Sequence, residues 1–245
     1  RVHPGSFYAL PQSPQIFKQL LMVSGYDRYM QIARCFRDED LRGNRQPEFT
    51  QLDLEMSFIE PEEVYNLVEG LLSLLFETML DIKISTPFER MPYLTAMQDY
   101  GVDAPDLRFD LKLKDISDIA GQCGLKVFSD AIERGGIAKA INVKRGSDFS
   151  RKELDELTEF VKIYGAKGMA WVKRNEEGWQ SPIAKFFSMK DQCAIEKRLD
   201  VEVGDLILFG ADNINIVNNA LGNLRKEVAR RRKLIPENIY KFVWI

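Results

Sequence analysis

From Phe49 to Phe58 the chain alternates strictly: Leu52, Leu54, Met56 and Phe58 fall at one parity, and Gln51, Asp53, Glu55 and Ser57 at the other. A period of two belongs to an extended strand and to no helix, so the segment is a β-strand with one apolar and one polar face. Upstream, Tyr29 to Phe36 reads as a second strand, and the charged stretch from Phe36-Arg37-Asp38-Glu39-Asp40 to Arg45-Gln46-Pro47 is the loop that joins the two. Alternation alone makes an ordinary antiparallel hairpin with a hydrated outer face. Here that face carries two acids and an amide, beside a loop holding Arg37, Arg42 and Arg45. Cations and carboxylates fixed on one sheet suit a ligand that has both an anionic phosphate and an ammonium group.

At 245 residues the chain has room for one large domain or two smaller ones and for a sizeable core. Its 45% apolar and 29% charged residues are those of an ordinary globular protein. A net charge of −3 argues against binding nucleic acid through bulk positive charge, which leaves local runs such as Arg225 to Lys233 as candidate contacts. Cys35, Cys123 and Cys193 are far apart and odd in number, which points to a reducing compartment without a disulfide framework. With no CxxC pair and His3 as the sole histidine, a His/Cys zinc site is not expected, and no protein metal ligand is assigned. There is no apolar run of membrane-spanning length and no signal peptide, so the expected location is the cytoplasm, or an organellar matrix, with no membrane partner. The chain opens on Arg1 and stops on Phe242-Val243-Trp244-Ile245, and both ends read as cut.

Phe7 to Leu10 reads as a short strand. Ser13 as N-cap and Pro14 at the first helical position then predict a helix to about Ser24, closed by Gly25. Val64, Leu67, Val68, Leu71, Leu72, Leu75 and Phe76 sit at helical spacing and predict a helix over about Pro61 to Leu80, its stripe facing a core. A shorter helix from about Tyr93 to Tyr100 leads into the turn-rich boundary Gly101 to Arg108. Beyond it a compact α+β pattern begins. A helix is expected over about Asp115 to Cys123, followed by strands near Lys126–Ile132 and Ile137–Lys144. The capping box Ser150-Arg151-Lys152-Glu153 opens another helix. A strand at Met169–Arg174, a turn through Glu176-Glu177-Gly178, a helix over Met189–Leu199, the strand Leu206–Phe209 and a helix over Ile214–Arg232 complete the pattern. Asn238 to Ile245 reads as a strand returning to the first domain.

The string Phe36-Arg37-Asp38-Glu39-Asp40, followed by Arg45-Gln46-Pro47-Glu48-Phe49-Thr50-Gln51, resembles motif 2 of class II aminoacyl-tRNA synthetases in the form typical of bacterial-type aspartyl-tRNA synthetases. Three further segments, Lys162 to Gly168, Pro182 to Phe187 and Gly210-Ala211-Asp212, resemble in order the GAD insertion domain of those enzymes. A related domain occurs in the B subunit of tRNA-dependent amidotransferases. The resemblance implies an α+β fold: a partial class II antiparallel-sheet catalytic core over 1–107 with motif 2, an inserted GAD domain over 108–233, and a return strand over 234–245. It covers nearly the whole chain.

The implied reaction joins L-aspartate to ATP, giving aspartyl-adenylate and pyrophosphate, and then transfers the aspartyl group to the 3′ end of tRNA(Asp), with tRNA(Asn) as a second acceptor. By resemblance Arg37 is the catalytic arginine that bridges the α-phosphate and the aspartate carboxylate, a task suited to a planar, permanently charged fork. Asp38, Glu39, Gln46 and Phe49 join it as the ATP site, with Phe49 stacking on the adenine. Ser13, Gln15, Lys18, Arg37 and Asp53 make the aspartate site. Lys18 pairs the side-chain carboxylate, and Asp53 anchors the ammonium group or Lys18 itself. Gln15 and Lys18 are three apart and so share a helix face. The loop Leu41 to Arg45 offers Arg42 and Arg45 to the acceptor end of tRNA. Mg2+ belongs between ATP phosphates and carboxylates in this class, without a named protein ligand here. The full-length relatives are homodimers.

The motif 1 dimer segment, the motif 3 arginine and the anticodon-binding domain are missing from the pattern, so the expectation is a fragment that is inactive by itself. Val102 and Ala104 depart from the small hydroxyl residue and lysine common in the family. Two other readings stand beside the ligase: a non-catalytic tRNA-binding or regulatory paralogue, and an amidotransferase-like GAD binding module.

Overall fold

The structure, a computed structural model, describes residues 4–7, 12–38 and 45–245. The chain divides into two compact units, Arg1–Pro87 and Phe88–Ile245. In the first, helix α1 (Gln15–Val23) precedes the strands β1 (Arg28–Phe36) and β2 (Glu48–Met56), and helix α2 (Pro61–Leu80) follows. Helix α1 begins one residue later than the sequence suggests: Pro14 takes the N-cap place, and no side chain, Ser13 included, caps the helix. Helix α2 starts at Pro61 behind a capping box between Glu60 and Glu63 and ends at Asp81 in the left-handed conformation. The strand expected at Phe7–Leu10 falls largely on residues 8–10, outside the described residues.

Strands β1 and β2 pair antiparallel with Gln31 opposite Asp53 and Cys35 opposite Phe49. Directly paired residues share a face. Tyr29, Gln31, Ala33 and Cys35 therefore stand with Glu55, Asp53, Gln51 and Phe49, whereas Met30 and Ile32 stand with Leu54 and Leu52. The alternation is the expected one, but burial is reversed. Asp53 is 8% exposed and Cys35 fully buried, while Met30 and Ile32 are 69% and 75% exposed. The polar face is covered by Lys18 in α1, the helix's single buried residue, which engages Asp53 and Glu55.

The second unit holds β3 (Glu89–Arg90), α3 (Tyr93–Tyr100), β4 (Lys114–Asp115), α4 (Ser117–Ala120), α5 (Lys126–Glu133), β5 (Ile137–Val143), α6 (Arg151–Lys162), β6 (Ala170–Asn175), β7 (Gly178–Gln180), α7 (Met189–Leu199), β8 (Leu206–Asp212), α8 (Ile214–Arg231) and β9 (Val243–Trp244). Five strands form one antiparallel sheet in the order β4-β5-β8-β6-β7. The apolar run Leu206-Ile207-Leu208-Phe209 makes β8 central because both of its faces are covered. Leu206 and Leu208 pack with Leu154 and Leu157 of α6 and Leu221 and Leu224 of α8. Ile207 and Phe209 pack on the opposite face with Phe128 of α5 and Ile195 of α7.

Residues 126–133 form a helix, not the expected strand. Phe128 and Ala131, three apart, are buried on one side while Val127 is 64% exposed, so burial follows the helical period. The helix expected over Asp115–Cys123 shortens to α4 because Lys114 and Asp115 are taken by pairing with β5. At the chain end only Val243–Trp244 are strand, paired parallel with β3.

Three charged side chains are buried in this unit, and each is met by backbone. Arg225, 0% exposed, donates to the carbonyls of Leu111 (3.1 Å), Asp106 (2.7 Å) and Phe109 (2.9 Å) and stacks over the Phe109 ring at 4.1 Å. Lys139 donates to the Gln98 carbonyl at 2.8 Å, near the C-terminus of α3 where a cation is favoured, and to Asn218 Oδ1 at 2.8 Å. Asp205 accepts from the amides of Arg145 (2.8 Å) and Glu202 (2.9 Å). Burial alone would raise its pKa, but these donors, Asn142 and nearby Lys144 hold it below the ordinary value. At Gly101, with φ +72°, a Cβ would lie 2.3 Å from the Asn218 carbonyl, so α3 and α8 approach more closely than any side chain there permits.

Along α8 the run from Arg225 to Lys233 is mostly neutralised. Arg230 and Arg231 bond Glu227, Arg231 also bonds Glu156, and Arg232 bonds Asp148. Arg230 first, then Arg231, holds the Glu227 carboxyl down at about 2. A depressed carboxylate pKa stabilises the fold above the unfolded value near 4.5, and that contribution is lost as pH falls towards 2. Glu227→Gln is therefore expected to lower stability at neutral pH by about 1 kcal/mol, since Arg230 is largely solvated, and to flatten the acid limb of the stability profile. Thermal unfolding of both proteins from pH 7 to pH 2.5 checks it.

Candidate functional site

The polar face of the hairpin gathers most of the candidate residues that are described. Lys18 Nζ lies 3.0 Å from Asp53 Oδ1 and 3.1 Å from Glu55 Oε2, and the Lys18 and Asp53 side chains are both about 10% exposed. The hydrogen bond to Asp53 chiefly raises the lysine pKa, against the opposing effect of burial, and Glu55 adds to the rise. One cation faces two carboxylates, so the cluster carries a net negative charge. The second oxygen of Asp53, Oδ2, is buried and accepts no hydrogen bond. An acceptor already stripped of water and lacking a donor favours the arrival of a positively charged donor. Beside the cluster, Tyr29 Oη bonds Gln31 Oε1 at 2.6 Å.

Arg37 follows β1, and its amide donates to the Pro47 carbonyl at 2.8 Å, closing the last rung of the hairpin. Its guanidinium carbon sits 4.9 Å from the centroid of the Phe49 ring, and its Nε is buried without an acceptor. That pairing is the mirror image of Asp53: a desolvated donor set for an anion, stacked on an aromatic face. Arg34, Gln46, Pro47, Glu48, Phe49 and Thr50 line an open recess next to it, in which Arg34 and Glu48 form an ion pair. The Arg37 guanidinium over the Phe49 ring can receive a phosphate beside a planar base.

The other candidates are less gathered. Gln15 is exposed although it shares a helix with Lys18; Ser13 is half-buried, and Asp38 and Arg45 are exposed. Glu39 and Arg42 lie outside the described residues. Among the described residues no three His, Cys, Asp or Glu side chains converge on a point that would hold a metal. Glu55 joins the site unexpectedly, and the signal for it is its parity with Asp53 in the alternation, which puts both on one face.

In the second unit, residues of all three segments that resemble the GAD domain come together. Ala166 to Gly168 and Gly210 to Asp212, with Ile183, line a cavity of about 490 Å³ between α5 and α8.

Lys18→Met removes the ammonium while leaving Asp53 buried and charged, and is expected to weaken the hairpin by roughly 3 kcal/mol. Hydrogen exchange at the β2 amides reads that loss locally. Because the lysine pKa is raised above its ordinary 10.5, the stabilisation is complete below that value and disappears as pH rises through the folded-state value. Protection of β2 is therefore expected to fall at alkaline pH in the parent and not in the variant.

The profile of class II tRNA synthetases (D, K and N) matches residues 1–245. The chain is 58% identical over 245 residues to the aspartate–tRNA(Asp/Asn) ligase of Desulfosudis oleivorans, covering 100% of this chain and 41% of that protein. It is 57% identical to the protein of the same name from Persephonella marina, covering 100% and 41%. It is 54% identical to the aspartate–tRNA ligase of Macrococcus caseolyticus, covering 100% and 42%. The chain thus spans about two-fifths of the length of these curated relatives.

Proposed function

We propose, for a chain that belongs to the class II tRNA synthetases of the D, K and N group, that the hairpin and α1 form part of the site where L-aspartate is activated by ATP for transfer to tRNA. The observation that carries this reading is the pair of buried, unpartnered atoms of opposite character: Asp53 Oδ2, an acceptor, and Arg37 Nε, a donor. An amino acid presents an ammonium to the first, and a phosphate or carboxylate presents an anion to the second. An aspartate adds a second carboxylate. Lys18 has three donor hydrogens, of which Asp53 and Glu55 engage two, so one remains for the substrate side chain.

In the first step the substrate α-carboxylate oxygen attacks the α-phosphorus, an oxygen–phosphorus bond forms, and pyrophosphate leaves with the bonding pair. Arg37 holds the attacking carboxylate and the α-phosphate together and offsets the charge that builds on the phosphorus oxygens. Phe49, Gln46 and Asp38 hold the adenine and phosphate side, Glu39 completes that set, and Ser13 and Gln15 flank the amino acid. In the second step a ribose hydroxyl of the tRNA 3′ adenosine attacks the acyl carbon and AMP leaves. Arg42 and Arg45 guide the acceptor end. ATP and Mg2+ are used together in this class, and the residues named here position the nucleotide. Relatives named for tRNA(Asp/Asn) support both tRNA(Asp) and tRNA(Asn) as acceptors, and a homodimer is the assembly proposed for the complete enzyme. Three cysteines free of disulfides suit a cytoplasmic or organellar-matrix location. The proposed division is 1–107 as partial catalytic core, 108–233 as the inserted domain and 234–245 as the return strand to the core.

Isothermal titration with a non-hydrolysable aspartyl-adenylate mimic tests the reading. Arg37→Ala is expected to weaken binding by roughly 1–3 kcal/mol, the cost of a lost charged hydrogen bond, and Arg37→Lys to restore little of it. Unchanged affinity in a folded Arg37→Ala chain contradicts the proposed site.

A further inference from the structure

A second charged recess lies wholly within the second unit. Its walls are the turn 104–108, the Lys226 turn of α8 and the segment 239–242, with Arg108, Lys226 and Lys241 among its lining residues. The one acid in it, Asp106, is occupied: it accepts from Arg108 Nε at 2.9 Å and Nη2 at 2.7 Å, and its carboxyl is held below the ordinary range chiefly by that contact. Lys226 and Lys241 have no hydrogen bond or ion pair among the described residues. Lys226 is moreover half-buried as a residue and meets no counter-charge among the described residues. The contrast with its neighbours is sharp, because Arg230, Arg231 and Arg232 on the same helix are all matched by carboxylates.

The recess is also held in shape. Arg225, beside Lys226, binds the carbonyls of Asp106 and Phe109 and so fixes the turn to α8. Phe242 stacks on Phe88 at 4.9 Å, which fixes the facing wall. Between the cations, Ile239 and Tyr240 are 45% and 44% exposed, an apolar and aromatic surface next to uncompensated positive charge. Two free ammonium groups call for a phosphate rather than a single neutral acceptor, and the adjoining flat surface calls for a planar group attached to it.

We infer that this recess binds a nucleotide, its phosphate on Lys226 and Lys241 and its base or sugar against Tyr240 and Ile239. The inference stands apart from the hairpin site, since it uses none of its residues. Either an RNA strand or a free nucleotide supplies the same chemistry.

The test is fluorescence anisotropy of a labelled single-stranded oligoribonucleotide with the 245-residue chain, repeated across a salt series and with AMP as competitor. Lys226→Ala and Lys241→Ala are each expected to weaken binding several-fold and to reduce the slope of log affinity against log salt by about 0.7, the value for one phosphate contact on a single strand. Lys233→Ala, on the same run but outside the recess, and Arg230→Ala, already ion-paired, are expected to leave both unchanged. Lysine-dependent displacement by AMP assigns the recess to free nucleotides; lysine-dependent binding that AMP does not displace assigns it to an RNA strand. Affinity and salt slope that are the same in Lys226→Ala, Lys241→Ala and the parent overturn the inference, as does the absence of binding to either ligand by the folded parent.

Discussion

The Lys18 ammonium held between Asp53 and Glu55 is the contact on which the first unit depends. Helix α1 meets the hairpin through Lys18, its one buried residue. What is buried is charge. Among the described residues of this unit the buried side chains are Ala33, Cys35, Lys18, Asp53 and Glu69, an interior in which polar groups outnumber apolar ones. Removing charges from water is costly unless each is paired, and the geometry at Lys18 supplies two partners within 3.1 Å. The same arrangement leaves Asp53 Oδ2 and Arg37 Nε without partners. A module built to maximise its own stability would satisfy both. Both stay open on the hairpin, one an acceptor and one a donor, which suits a ligand that carries charges of both signs.

The second unit solves the burial of charge differently. Its core is apolar on both faces of a five-stranded sheet, and its buried ions are tied to backbone groups. Arg225 collects carbonyls from 106, 109 and 111, which lie in a stretch with little regular structure of its own. Lys139 does the same near the end of α3. Backbone carbonyls that would otherwise be orphaned thus accept from cations. Irregular segments become fixed walls in this way, including the turn that bounds the recess around Lys226.

Much of this was legible in the residues because the signals were local. The period-two pattern of β2 gave the strand and its two faces, Ser150 and Glu153 gave the start of α6, and the spacing of Val64 to Phe76 gave α2. The α+β class and the synthetase family followed from short strings that the structure places on the hairpin and around one cavity. Tertiary context decided the rest. The polar face of the hairpin is covered because a lysine on another element lies over it, and no pattern within the strand reports that. Val127-Phe128 and Ala131-Ile132 fit a strand or a helix equally over so short a run, and only Phe128 packing under the sheet chooses between them. The basic run on α8 looked like one patch in sequence. Acids at 148, 156 and 227 divide it into paired arginines and two free lysines, and two of those acids are more than seventy positions from their partners.

The central claim is that the charges on the hairpin's polar face act as one preorganised unit, structural and ligand-binding together. A double-mutant cycle on Lys18→Met and Asp53→Asn, read as affinity for an aspartyl-adenylate mimic, tests it most directly. Residues that share a network couple by about 0.5–3 kcal/mol, and the account predicts a coupling above about 1 kcal/mol, with the double variant losing far less than the sum of the single losses. Strictly additive losses in folded proteins would mean that Lys18 and Asp53 act independently, and would contradict it.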